Sequence, residues 1–129
     1  MTTLTFPKQE KLCGKLSIAN LYEKGRRFTC YPLRVTYLFC DGADSQEVKV
    51  LVWAAKSLFR RATRRNRLRR LMREAYRLNA QPLREYCQKQ QKSLHIAFNY
   101  ISKEELDLWQ MEKAVRKSIE KISEVETVD

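Results

Sequence analysis

Residues 56–77 read Lys-Ser-Leu-Phe-Arg-Arg-Ala-Thr-Arg-Arg-Asn-Arg-Leu-Arg-Arg-Leu-Met-Arg-Glu-Ala-Tyr-Arg. Ten of these 22 residues are basic and one, Glu74, is acidic. Apolar residues recur through the charge at Leu68, Leu71, Met72, Ala75 and, just beyond, Leu78. That spacing of three and four predicts a helix with one buried face. At about 100° per residue, Arg65, Arg69, Arg73 and Arg77 make a stripe beside Asn66 and Arg70, running from the flank of the apolar seam to its far side. Nine arginines beside one carboxylate cannot neutralise one another, so the stripe calls for an external polyanion. Continued back to Lys56, the same helix would aim Arg60, Arg61 and Arg64 along its apolar seam, where unpaired guanidinium groups are not accepted. The lead-in therefore reads as an exposed loop, with the helix beginning between Arg60 and Arg64. Free backbone N–H groups at that start also favour phosphate.

Over the whole chain, 129 residues with 43% hydrophobic content suit a single domain that buries about two-thirds of its unfolded surface. The net charge of +11 sits largely in the one run, which favours a nucleic acid over a general solubility effect. Membrane surface is the competing polyanion. No segment approaches the roughly 20 apolar residues of a spanning helix, and Met1 to Pro7 lacks the regions of a signal peptide. The expected location is the cytoplasm. Cys13, Cys30, Cys40 and Cys87 form no close pairs and His95 is the lone histidine, so buried reduced thiols are preferred to a zinc site. His95 sits in an apolar strand-like run and reads as structural. One histidine also excludes a self-sufficient nuclease built on a histidine pair.

Along the chain, residues 1–11 and 124–129 read as frayed ends. Ser17 caps a short helix with Ile18, Leu21 and Tyr22 inward, and Gly25 ends it in a left-handed conformation. Leu33, Val35, Tyr37 and Phe39 alternate with Arg34 and Thr36, a half-buried strand. A turn over 41–45 and a second strand over 47–54 follow, expected to pair antiparallel with the first because the link is short. The arginine helix fades near Asn79 to Pro82, and Leu83 to Lys92 is either a helical extension or a loop. Leu94 to Ile101 is a strand. Ser102 and Glu105 read as a capping box for a long helix carrying Leu108, Met111, Val115, Ile119 and Ile122. The fold class is α+β: helices packed on a small sheet in a two-layer sandwich. Trp53 and Trp109 read as structural.

The string from Ala62 to Arg77 closely resembles the signature of the bacterial ribonuclease P protein component. The hallmark is Arg65-Asn66-Arg67, an apolar residue, two basic residues, two apolar residues, then Arg73-Glu74 and an aromatic residue before Arg77. Leu12, the Ile18-to-Tyr22 helix, Gly25, the strand from Pro32 and the final strand and helix follow the family order. The resemblance implies helix, three strands, helix, strand, helix around a mixed sheet, with a left-handed crossover through the basic helix. It places the third strand near Arg26 to Cys30. It implies a non-catalytic subunit of an endoribonuclease whose RNA removes the 5′ leader of precursor tRNA, using magnesium held mainly by RNA. The implied partners are the ribonuclease P RNA and precursor tRNA, with no membrane and no DNA.

Carried over by position, Arg65, Asn66, Arg67, Arg69, Arg70 and Arg73 match the family's RNA-binding motif. Lys56, Arg60, Arg61, Arg64 and Arg77 extend that set. A second family surface, the cleft between the first helix and the sheet, would hold the single-stranded leader at Ile18, Tyr22, Thr36 and Lys56. Ile18 and Thr36 stand where the family favours aromatic residues, which points to stacking by Tyr37 or Phe28 instead. The alternative from another class is a structural RNA-binding protein of the ribosome or its assembly. It shares the charge and the shape but has no reason to carry the Arg-Asn-Arg register or the Tyr22/Gly25 element.

Overall fold

Leu94, Ile96, Ala97, Phe98 and Tyr100 are all buried, on both faces of one strand. Such a strand belongs in the middle of a sheet covered on both sides. The structure, a computed structural model that describes residues 15–40 and 48–127, puts it there. The elements are α1 (Lys15–Lys24), β1 (Arg26–Cys30), β2 (Leu33–Cys40), β3 (Val48–Ala54), α2 (Ala62–Asn79), α3 (Gln81–Gln90), β4 (Ser93–Tyr100) and α4 (Leu108–Thr127). The sheet order is β1-β2-β4-β3. β1 with β2 and β2 with β4 are antiparallel, while β3 runs parallel to β4. The expected α+β class, the mixed sheet and the strand at Arg26–Cys30 are all present. The expected β2–β3 hairpin is not: β4, buried on both faces, inserts between them and gives its backbone hydrogen bonds to both. The turn expected over 41–45 lies outside the described residues.

One face of the sheet carries the main core. Leu33, Val35, Tyr37, Val50, Val52, Ile96, Phe98 and Tyr100 meet Leu68, Met72, Ala75 and Tyr76 of α2 and Met111, Val115, Ile119 and Ile122 of α4. Each large apolar side chain fully buried here contributes roughly 1.5–3 kcal/mol. Among the described residues the other face is covered by α1: Leu21 is buried on Ala97, with Ile18, Tyr22, Leu38 and Leu51 around them.

Local chemistry revises several boundaries. Ser17 lies inside α1 and does not cap it. Gly25 follows the helix because of crowding and not a left-handed backbone. Its N–H donates to the Leu21 carbonyl (2.8 Å), and an added Cβ would stand 2.4 Å from that oxygen and 2.8 Å from the Tyr37 carbonyl. The stretch expected over 83–92 as a helical extension or a loop belongs to the separate helix α3, which carries Pro82 in its first turn and ends at Gln90, with Gln91 in the left-handed region (φ 55°). α4 begins at Leu108, six residues after the expected cap. The reciprocal box is Asp107 with Gln110: Gln110 N–H donates to Asp107 Oδ1 (2.9 Å) and Asp107 N–H to Gln110 Oε1 (3.2 Å). Ser102 is buried, accepting from Glu104 N–H (3.1 Å), and the Tyr100 hydroxyl donates to the Glu104 carbonyl while accepting from Leu106 N–H (3.0 Å). The loop is thus folded over Tyr100. At the other end, α4 continues through the stretch expected to fray, as far as Thr127. Cys87 is buried, and burial pushes its thiol up to about 11, in keeping with an inert core cysteine. Among the described residues no helix is long and apolar enough to cross a membrane.

Candidate nucleic-acid interface

Four buried residues, Leu68, Met72, Ala75 and Tyr76, seat α2 and so decide where its arginines go. Ahead of it, Leu58 and Phe59 turn back onto the Ala55 carbonyl (3.1 and 3.2 Å), and the buried Phe59 ring packs on Tyr100, centroids 5.9 Å apart. Arg65 closes the turn from outside, one nitrogen donating to the carbonyls of both Phe59 and Arg60 (2.8 Å each). The loop over 55–61 is therefore pinned, as the misdirected wheel positions required, and α2 starts at Ala62. Arg61 stands at its N-cap with no side-chain capping bond, which leaves the first N–H groups for an incoming acceptor. Beside this start, Leu58, Phe59, Arg60, Arg61, Arg64 and Lys103 line a pocket of about 350 Å³.

The arginines divide into two flanks and a crest. On the β3 flank, Arg69 lies over the indole of Trp53, 5.0 Å from its centroid. Facing the loop before α4, Arg64 and Arg67 share one carboxylate, Glu105, at 3.5 and 3.8 Å. Asn66 and Arg70 form the exposed crest. Among the described residues, Arg60, Arg61, Arg65, Arg69, Arg70 and Arg73 have no carboxylate partner. Arg77 differs. Glu74 takes two of its N–H groups, and that hydrogen bond holds the Glu74 carboxyl below its usual range while raising Arg77 further. Arg77 is therefore a neutralised helix-surface pair and leaves the candidate set.

The six cleft candidates do not converge. Ile18 and Tyr22 sit on α1 over the sheet, and Lys56 is exposed beyond β3. Thr36 is on the same face but 1% exposed, too deep to touch a strand of RNA. Phe28 and Tyr37 point into the other layer, ring on ring at 5.9 Å, with Lys121 over Phe28 at 4.9 Å. Adjacent residues of a strand face opposite ways, so Thr36 and Tyr37 could not share a surface. What continues the cleft instead is Asn99, which receives the Tyr22 hydroxyl's hydrogen bond (3.2 Å) and pairs across strands with Trp53. Arg69, Trp53, Asn99 and Tyr22 thus form an unbroken path from the arginine helix across the sheet to α1.

A family model described as Ribonuclease P matches residues 6–123. This chain belongs to the ribonuclease P protein family. Two strains of Porphyromonas gingivalis carry a "Ribonuclease P protein component" that is 39% identical over 121 residues, covering 94% of this chain and 88% of theirs. A protein of the same name in Chlorobaculum tepidum is 38% identical over 79 residues. Among solved structures, a mutant Staphylococcus aureus RNase P protein superposes with a TM-score of 0.66 over 91% of this chain and 90% of that one, at 16% identity. A second structure from that organism scores 0.59. The shared fold and the family membership make this chain a protein subunit of ribonuclease P, which removes the ribosomal alternative.

For a ribonuclease P protein, the residues that sequence reading missed are instructive. Trp53 was legible only as an aromatic residue in a strand, yet it is half-exposed and holds Arg69. Asn99 carries no local signal. Lys103 reads as part of a capping box, but joins the pocket at the start of α2 once the loop folds over Tyr100. Among the described residues no three His, Cys, Asp or Glu side chains come together as a metal ion would need.

Proposed function

We propose that this ribonuclease P subunit binds the enzyme's RNA along α2 and the pocket at its N-terminus, and receives the 5′ leader of precursor tRNA across Tyr22, Asn99 and Trp53. The RNA carries the cleavage chemistry, and magnesium is held mainly by RNA phosphates. The observation that supports this most is the group of arginines without carboxylate partners on a helix anchored by four buried residues. Such a ridge offers phosphate contacts already in register, and the pinned loop adds free N–H groups beside Arg60, Arg61 and Lys103. Lys56 and Ile18 border the leader path, where Trp53 and Tyr22 supply stacking faces that take any base. The partners are the ribonuclease P RNA and precursor tRNA, and the working compartment is the cytoplasm. Reconstitution with the ribonuclease P RNA at low magnesium tests the reading: leader removal is stimulated. Absence of stimulation with protein that binds the RNA would sink the assisting role.

A further inference from the structure

On the far side of the Arg64/Arg67 flank, the β1–β2 turn and the start of α4 enclose a pocket of about 310 Å³. Its walls are Tyr31, Pro32, Leu106 and Trp109, and its rim carries Lys113, Lys117 and Glu104. Tyr31 and Trp109 are 62% and 63% exposed, the most exposed aromatic rings among the described residues. Neither is held there by core packing, so the reading of Trp109 as structural does not stand. Tyr31 is fixed instead by its hydroxyl, 2.6 Å from Oγ of the buried Ser102. Lys113 lies over the indole of Trp109 at 5.5 Å, and Lys117 follows one turn along the same helix. Among the described residues neither lysine has a carboxylate partner.

The position of this pocket matters as much as its lining. Glu105, which bridges to Arg64 and Arg67, stands in the chain between Glu104 and Leu106 of the pocket wall. The arginine ridge and the aromatic pocket are therefore neighbours across one loop residue. We infer that the pocket takes a single unpaired nucleotide of the RNA lying on α2. The base stacks against Trp109 and Tyr31, and the flanking phosphates meet Lys113 and Lys117. Glu104 on the rim argues against a bare phosphate ion and for a base with an exocyclic amine, which a carboxylate accepts. Three charged side chains at the mouth also disfavour the apolar surface of a protein partner. The proposal rests on the RNA reading of α2 only for the source of the strand.

The test uses the full chain with Trp53→Phe, which leaves Trp109 as the sole tryptophan. Ten-nucleotide single-stranded oligocytidylate is titrated while indole emission is followed, with an RNA duplex of equal length as control. The single strand quenches Trp109 strongly and the duplex does not. Tyr31→Leu, or Lys113→Ala with Lys117→Ala, raises the midpoint on the order of tenfold while circular dichroism stays unchanged. Unchanged emission at saturating oligocytidylate overturns the proposal, whether or not the strand binds elsewhere. Quenching that grows with protein concentration in the absence of RNA overturns it too, in favour of self-association. Binding of folded ribonuclease P RNA is measured in parallel on the chain with Trp53 intact, because that indole holds Arg69: no binding with the quench retained removes the ridge and leaves the pocket, and the reverse removes the pocket alone.

Discussion

The two faces of the sheet are built to different standards. Under α2 and α4 lies a continuous core that runs from Leu33 to Ile122. Beneath α1, among the described residues, the enclosed side chains are the small cluster of Leu21, Thr36 and Ala97, ringed by side chains left partly open. The thick side provides a floor against which the arginine helix cannot shift, and the thin side keeps a cleft open beside Tyr22 and Trp53. Stability and accessibility are thus separated by which way a strand residue points.

That contrast can be broken most directly in the thick layer. Phe98→Ala removes a fully buried ring that packs on Tyr76 (centroids 6.2 Å apart) and should cost about 3–5 kcal/mol in urea unfolding. Leu21→Ala, on the thin side, should cost about 2 kcal/mol, because a sparsely covered site can relax into the gap. Equal costs would mean that the faces are not distinct. On the crest of α2, Arg70→Ala should leave the urea midpoint unchanged. It should also reduce the salt slope of RNA binding by about 1, from a parent slope of roughly −4 to −7 if about 6–8 phosphates are neutralised. A lower midpoint would place Arg70 in the core's economy and not on an exposed crest. Arg65→Ala is the poorer probe, since it also frees the Phe59 and Arg60 carbonyls and loosens the loop.

The smallest effect expected belongs to His95. Burial, and then the cross-strand Lys49, lower its pKa from 6.5, and its Nδ1 is buried without a hydrogen-bond partner. The unfolded chain then binds the extra proton first, so stability is full above pH 6.5 and declines as pH falls below it toward the depressed folded value. His95→Gln should flatten that part of the stability-versus-pH curve. An unchanged slope would show that other groups set it.

What the sequence disclosed follows from range. Leu68, Leu71, Met72 and Ala75 recur at helical spacing within one turn of each other, so the basic helix and a start between Arg60 and Arg64 were legible without a structure. Met111, Val115, Ile119 and Ile122 did the same for the last helix. The resemblance added the strand at Arg26–Cys30. Local pattern cannot say which strand lies beside which, and β4 came between two strands joined by a short link. Nor could it separate two capping signals five residues apart: Ser102 was drawn under Tyr31, and Asp107 took the role. The pairing of Thr36 with Tyr37 and Phe28 in one cleft was a different failure, because strand alternation already argued against it.

The place of β4 has a consequence for how this chain comes into being. Among the described residues, β3 finds its hydrogen-bonded neighbour in a strand that begins at Ser93, after the arginine helix has already been synthesised. During translation the cationic segment therefore leaves the ribosome, itself an RNA surface, before the sheet that will orient it is complete. A chain halted short of Ser93 would carry the full charge with two strand edges bare and no means of aiming it.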